Sequence, residues 1–137
     1  MAEAAPDQMR LLALDDSLDS AELIVRVATQ CGFQAKALVD PSDLQRLLSE
    51  WQPQILTLDL CMPKEDGIGV LSQLEQSGFD GHLIIISGQD RWLRKAAARL
   101  AEARGLNVAN DLSKPVDIKI LREYLSELNP VPPASVL

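Results

Sequence analysis

The stretch Ile55-Leu-Thr-Leu-Asp-Leu-Cys-Met-Pro63 decides the fold, because it is an apolar run of strand length that ends in a carboxylate. Its aliphatic and β-branched residues predict a strand that is buried on both faces of a parallel sheet. A charge is costly to bury, so Asp59 at the tip of this strand should be exposed at the edge of the sheet or paired. Asp59 is therefore a candidate for chemistry, and the alternative is an aspartate that only begins a loop.

Two other apolar runs of strand length also end in polar residues. Met9-Arg-Leu-Leu-Ala-Leu14 runs into Asp15-Asp16-Ser17, and Leu83-Ile-Ile-Ile86 runs into Ser87-Gly88. Both runs predict strands. A weaker strand is predicted at 33–39, towards an edge of the sheet because one face is polar, and another at 106–110.

Apolar residues at helical spacing predict a helix after each strand. The five helices are expected at 18–31, from the N-cap Asp40 to Trp51, from about 66 to 78, at 90–104 and at 116–128. The positions expected to face the core are Ala21, Ile24, Val25, Ala28, Leu44, Leu47, Leu48, Trp51, Ile68, Leu71, Leu74, Leu93, Ala97, Leu100, Ile118, Leu121, Leu125 and Leu128. Five alternations of strand and helix predict an α/β fold, a doubly wound parallel sheet with helices on both faces.

The totals are typical of one globular domain. A length of 137 residues with 47% hydrophobic residues allows a single core. We expect one folded domain at 9–128, a disordered N-terminus at 1–8 and a proline-rich tail or linker at 129–137.

Charge and hydropathy exclude several classes of function. The net charge of -7 argues against nucleic-acid binding, which needs Lys and Arg on the phosphates. No apolar run approaches the roughly 20 residues that span a bilayer, and the N-terminus lacks the pattern of a signal peptide, so we expect no membrane partner and a cytoplasmic protein. Cys31 and Cys61 show no metal-binding spacing and predict no disulfide.

The carboxyl ends of the predicted strands carry a group of polar residues. These are Asp15, Asp16, Asp59, Ser87 and Lys114. Ligand chemistry in open parallel sheets gathers at this edge. Three carboxylates there would repel one another unless a cation lay among them, and Mg²⁺ prefers such oxygen ligands. Taken singly each residue could be only a turn or a cap, but together they favour a site.

The same residues suggest a reaction. A carboxylate such as Asp59 held against Mg²⁺ can accept a phosphoryl group as an acyl phosphate. Lys114 would add positive charge on the side away from the metal, and the Ser87 hydroxyl could bond a phosphoryl oxygen. Because Asp15 and Asp16 are neighbours, one would bind the metal directly and the other through water or a hydrogen bond.

This ordered set resembles the receiver domains of two-component response regulators, over about residues 9–128. The matching residues are the acidic pair Asp15-Asp16, Asp59 with Asp66-Gly67 beyond it, Ser87-Gly88 and Lys114-Pro115. The resemblance implies a flavodoxin-like sheet of order 2-1-3-4-5 and a cis peptide before Pro115.

The resemblance also assigns roles. It implies Asp59 as the phosphoacceptor, Asp16 and Asp59 as direct Mg²⁺ ligands, Asp15 as an indirect one, and the main-chain carbonyl of Cys61 as a further ligand. The donor would be a sensor histidine kinase or a phosphotransfer protein. The chain would be a signalling domain that catalyses only its own phosphotransfer and dephosphorylation, rather than an enzyme.

One position departs from the family pattern. Receivers usually carry Tyr or Phe three residues before the lysine, where this chain has Asp111. Trp92 on helix four, with Ile120 and Tyr124 on helix five, lies beside the predicted buried stripes. These three predict an apolar patch for a homodimer or an output protein, and the alanines of helix four predict a face that can slide.

Two alternatives remain. The chain could be a degenerate receiver that binds partners without phosphorylation. It could also be a small Mg²⁺-dependent aspartyl-phosphate hydrolase of the haloacid-dehalogenase type. Such hydrolases place a second aspartate two residues after the nucleophile, where this chain has Cys61, so the hydrolase is disfavoured.

Overall fold

A computed structural model describes residues 8–60, 67–88 and 91–129, with only the backbone at Gly67 and Ile68. The strands are β1 (Arg10–Leu14), β2 (Gln34–Leu38), β3 (Ile55–Asp59), β4 (His82–Ser87) and β5 (Asn107–Ser113). The helices are α1 (Leu18–Gln30), α2 (Leu44–Glu50), α3 (Gly67–Ser77), α4 (Arg91–Ala103) and α5 (Ile118–Leu128), with a 3₁₀ turn at Pro41–Asp43 before α2. Strand and helix alternate along the chain, as the hydrophobic pattern predicts.

The five strands form one parallel sheet in the order β2-β1-β3-β4-β5. This confirms the predicted fold class and the order that the resemblance implied. The central strand β3 is buried at every position, as its continuous apolar run requires. Strands β2 and β5 are the two edges.

The helices cover the two faces of the sheet and form two cores. On one face, Leu56 and Leu58 of β3 pack beneath α2, α3 and α4. On the other, Ile55 and its neighbours pack against α1 and α5. Odd and even residues of β3 thus point to opposite cores, and its last residue, Asp59, emerges at the carboxyl edge.

Helix α5 begins later than predicted, and this corrects one core residue. Asp117 accepts hydrogen bonds from the backbone N–H groups of Lys119 and Ile120, which fixes the first turn at Ile118. Ile118 therefore lies in the first turn with 39% exposure, and its predicted burial was wrong. Leu121 and Leu125 are fully buried, as expected.

Helix α2 is shorter than predicted, because its first turn is the 3₁₀ segment that Asp40 caps at the backbone N–H of Ser42. Strand β5 is longer than the predicted 106–110. Its ladder with β4 continues to the pair Ser87 and Ser113, past an irregularity between Leu83 and Ile84. Lys114 therefore follows directly from a hydrogen-bonded strand.

Edge strand β2 is held from one side by β1 and leaves Lys36 and Ala37 exposed. The Lys36 ammonium lies over the ring of Trp51, 4.9 Å from its centre. Within the described residues, no helix is both long and apolar enough to cross a membrane. Of the expected terminal segments at 1–8 and 129–137, residues 1–7 and 130–137 lie outside the described residues, as does Asp66.

Candidate functional site

Neighbouring strand ends bring the predicted polar residues together. Asp15 follows β1, Asp59 ends β3, Ser87 ends β4 and Lys114 follows β5. Asp15, Asp59 and Ser87 are almost completely buried, with 1%, 2% and 0% exposure. Polar side chains so deeply buried are retained where they are paired or used, since unpaired burial is costly.

Three carboxylates form a cluster at this edge. One oxygen from each of Asp15, Asp16 and Asp59 lies within 4.8 Å of the other two, and Asp16 is the exposed member. An all-oxygen donor set that combines buried and exposed carboxylates suits a hard divalent cation such as Mg²⁺.

Asp15 is fixed by the backbone and by Lys114. Its backbone N–H donates to the carbonyl of Leu38, and its Oδ1 accepts from the backbone N–H of Ser17 at 2.9 Å. Its Oδ2 accepts from Lys114 Nζ, also at 2.9 Å. Both oxygens of Asp15 therefore already have donors.

Lys114 bridges two carboxylates. Its Nζ lies 2.9 Å from Asp15 Oδ2 and 3.2 Å from Asp59 Oδ2, with the side chain 25% exposed. Burial by itself lowers the pKa of this ammonium, but hydrogen bonding and charge attraction from Asp15 and then Asp59 outweigh that effect. The pKa is raised above its ordinary value of 10.5.

The sequence predicted Lys114 at the solvent edge, on the side away from a metal, and in the structure its side chain is 25% exposed. Two of the clustered carboxylates, Asp15 and Asp59, accept hydrogen bonds from the ammonium. Its backbone N–H donates to the carbonyl of Ser87 at 3.0 Å, which ties two of the predicted site residues together. The Lys114–Pro115 peptide bond is cis, as the resemblance implied.

Sequence reasoning identified Asp111 but missed its partners. Asp111 Oδ1 accepts from Arg94 Nε at 3.3 Å, and its Oδ2 accepts from Lys95 Nζ at 2.9 Å. Adjacent basic residues on the predicted helix four were the available signal. Only the packing of α4 against β5 brings them to a residue 16 and 17 positions away.

The predicted apolar patch is only partly formed. Trp92 is 76% exposed and Ile120 is 37% exposed. Tyr124 is half-buried and packs against the core under α1 and α5, so it belongs less to the patch than expected. It also lines an open groove of about 410 Å³ between α4, β5 and α5, together with Lys95, Arg99 and Asp111. Cys61, the other predicted ligand, lies outside the described residues.

Comparison with known proteins bears on this geometry. The family model of the response regulator receiver domain matches residues 11–126. The chain is 28% identical over 124 residues to the chemotaxis protein CheY of Treponema pallidum, covering 87% of this chain and 81% of that protein. It is 30% identical over 118 residues to a protein-glutamate methylesterase/protein-glutamine glutaminase of Myxococcus xanthus, covering 85% of this chain.

The chain spans only about a third of some of these curated relatives. It covers 33% of the Myxococcus protein and 36% of the response regulator MprA of Mycobacterium leprae. The likeness to the Myxococcus methylesterase therefore concerns one part of that protein.

Solved structures share both fold and sequence. A response regulator from Colwellia psychrerythraea is 31% identical with a TM-score of 0.79, covering 88% of this chain and 96% of that one. The signal receiver domain of a response regulator from Bermanella marisrubri is also 31% identical, with a TM-score of 0.72, and the match covers 88% and 98% of the two chains. Because the family model spans the sheet from β1 to α5 and these relatives agree in sequence and fold, the chain belongs to the response regulator receiver domain family.

Proposed function

We propose that this chain accepts a phosphoryl group on Asp59 in a two-component phosphorelay. The observation that carries the proposal is the Lys114 ammonium, which bridges Asp59 and Asp15 at the carboxyl edge of the sheet. A positive group beside a buried carboxylate can balance the negative charge that a phosphoryl group brings. Family membership supports the same role.

In the proposed reaction, an oxygen of Asp59 attacks the phosphorus of a phosphohistidine on the donor. A P–O bond to Asp59 forms while the P–N bond breaks, and the histidine nitrogen leaves with the electron pair. The Lys114 ammonium would pair with a negatively charged phosphoryl oxygen, and the Ser87 hydroxyl would donate a hydrogen bond to another. Water could later hydrolyse the acyl phosphate, so the domain would catalyse only its own phosphotransfer and dephosphorylation.

The clustered carboxylates fit a Mg²⁺ ion. We propose Asp16 and Asp59 as its direct ligands and Asp15 as an indirect one, because both oxygens of Asp15 already have donors and Asp16 faces solvent. The carbonyl of Cys61 would be a further ligand. When bound, the ion would neutralise charge on the phosphoryl oxygens and on the cluster.

The proposed donor is a sensor histidine kinase or a phosphotransfer protein in the cytoplasm. The proposed output is a change in docking or self-association on the surface of α4 and α5. Trp92 supports this choice, since a tryptophan side chain with 76% exposure is typical of a surface that meets a partner.

The direct test is the intact mass after incubation with Mg²⁺ and a small acyl-phosphate donor. The wild type should gain one phosphoryl group. Asp59→Asn and metal chelation should each abolish the gain. Asp43→Asn is a matched control, because Asp43 is an exposed carboxylate in the turn before α2 and does not belong to the cluster.

An unchanged mass in the wild type under several donors would overturn the proposal in favour of the degenerate receiver. Steady release of phosphate from monoesters with multiple turnovers would favour the hydrolase instead. Cys61 stands where that class of hydrolase places its acid, so we expect no such turnover.

A further inference from the structure

Asp111 holds a central position between the site and α4. It lies in β5 three residues before Lys114, and its backbone pairs with Ile85 of β4. Residues 111 and 113 point to the same face of the sheet, towards α4, whereas Leu112 enters the core under α1 and α5. The carboxylate of Asp111 is thus directed at the helix that follows Ser87.

The contact is an ion pair with two cations of α4. Arg94 Nε is 3.3 Å and Lys95 Nζ is 2.9 Å from the two oxygens of Asp111. The side chains of Arg94 and Asp111 are only 12% and 15% exposed, while Lys95 is 48% exposed. Partial burial strengthens the attraction relative to a surface pair and makes a lone charge there costly.

Helix α4 packs on the core through small side chains, with Leu100 partly buried beside them. Its buried positions are the alanines Ala97, Ala98 and Ala101, whose short side chains interlock little with the strands. At its far end, Arg104 donates to Ser72 and lies 4.0 Å from Glu75, both on α3. Polar contacts near both ends of α4 therefore add to this packing in fixing the position of the helix.

The ion pair also completes a short closed path of contacts that passes through the proposed site. Ser87 ends β4, and α4 begins four residues later at Arg91. Asp111 ties α4 to β5, β5 leads to Lys114, and the backbone N–H of Lys114 donates to the carbonyl of Ser87. A shift of Ser87 would pass to α4 along the chain, and the ion pair of Asp111 would oppose it.

We propose that Asp111 is a positioning residue that restrains α4 in its resting position, so that phosphorylation of Asp59 must work against the pair with Arg94 and Lys95. This inference rests on the proposed function, since it needs a phosphoryl group at Asp59. Asp111 takes the place where related receivers carry an aromatic ring, and it would regulate by charge instead of by ring rotation. Weakening the pair should make the switched state easier to reach, and by linkage it should tighten binding of a phosphoryl mimic.

The test titrates beryllium fluoride with Mg²⁺ into isotope-labelled protein and follows the two tryptophan indole resonances. The chain has two tryptophans, Trp92 on α4 as the reporter and Trp51 at the end of α2 as an internal reference. For Asp111→Asn we expect the apparent affinity for the mimic to rise about fivefold. We also expect its Trp92 signal, without mimic, to lie part of the way towards the bound position.

Matched variants separate the pair from general damage to the fold. Asp111→Glu should restore wild-type behaviour. Lys95→Gln removes only the more exposed cation and should raise the affinity for the mimic by less than Asp111→Asn does. In the double variant, Lys95→Gln should raise the affinity by less than it does in the wild type, because its partner is already gone. Glu102→Gln removes a charge from the same groove without touching Asp111 and should change nothing.

The inference would be overturned if both Asp111→Asn and Lys95→Gln bound the mimic with wild-type affinity and left the Trp92 signal unmoved. A fivefold change in Glu102→Gln as well would also overturn it, because the effect would then be general to the surface. Failure of the proposed function looks different. In that case neither the wild type nor any variant would bind the mimic or gain phosphoryl mass, and the role of Asp111 would fall with it.

Discussion

Lys114 sets the charge balance of the site. Two nearly buried carboxylates, Asp15 and Asp59, share its ammonium. Without that ammonium, the two carboxylates would lose the positive group that lies within hydrogen-bond distance of both. The lysine therefore has a structural role in the resting protein that precedes any role towards a phosphoryl group.

This role predicts a dependence of stability on pH. A lysine whose pKa is raised in the folded state contributes stability that is complete below its unfolded pKa and is lost as the pH rises through the folded value. In chelator, the free energy of unfolding of the wild type should exceed that of Lys114→Gln by a constant amount up to about pH 10. The difference should shrink at higher pH. Denaturant titrations at each pH measure it.

Lys119→Gln is the control, because Lys119 is an exposed lysine of α5. Its free energy of unfolding should be close to that of the wild type at every pH. A wild-type advantage over Lys114→Gln that stays constant beyond pH 12 would contradict the bridging role.

At the residue scale, the sequence predicted the members of the site but not their contacts. Asp15, Asp59 and Ser87 were recognisable because each ends an apolar run, and strand ends must meet in a parallel sheet. The position of the Lys114 ammonium and the partners of Asp111 depend on side-chain packing between distant segments. No local pattern encodes those contacts.

Helix α5 shows how a single cap decides where an element begins. The Asp117 side chain accepts from the backbone N–H groups of Lys119 and Ile120, at 2.9 and 3.3 Å. Periodicity alone extended the helix back to Val116, because it cannot distinguish a capping aspartate from a helical residue. Helix and strand types were predictable from their periods, whereas their ends were set by such caps.

The cap predicts a measurable stability difference. Asp117→Ala should lower the free energy of unfolding by about 1 kcal/mol, since two backbone donors lose their acceptor. Asp117→Asn should lose only a few tenths, because the amide oxygen can cap equally well. Urea unfolding followed by circular dichroism measures both variants.

Glu123→Ala is the control at an exposed position within the same helix. If Asp117→Ala lowers the free energy of unfolding no more than Glu123→Ala does, the cap contributes nothing, and packing of Leu121 and Leu125 holds α5.

At the scale of the whole molecule, the alternation of strands and helices was sufficient to predict the doubly wound class. The strand order came from the family resemblance, because alternation by itself fits more than one order. The output surface is the least determined from sequence. It depends on which side chains remain exposed after packing, and there Tyr124 differed from the prediction.

The proposed output predicts a change in association on phosphorylation. Sedimentation measures the association of the wild type with itself or with an isolated partner. Beryllium fluoride with Mg²⁺ should change the free energy of that association by about 1 to 3 kcal/mol. Trp92→Ala should reduce that change, because it removes the most exposed large apolar side chain among the described residues.

Leu18→Ala is the matched control, since Leu18 is 53% exposed but lies at the start of α1. An equal loss in both variants would point away from α4. Chemical shift changes confined to the Asp59 pocket, with unaltered sedimentation, would rule this output out.

The edge strand β2 has a consequence for aggregation. The apolar runs of β1, β3 and β4 are rich in the residues that favour intermolecular β-sheets. The exposed border of the sheet at β2, however, carries the charge of Lys36, whose ammonium rests on the ring of Trp51. A charged side chain on an edge strand disfavours the addition of a strand from another molecule, so Lys36 should protect this edge of the folded protein against growth into fibrils.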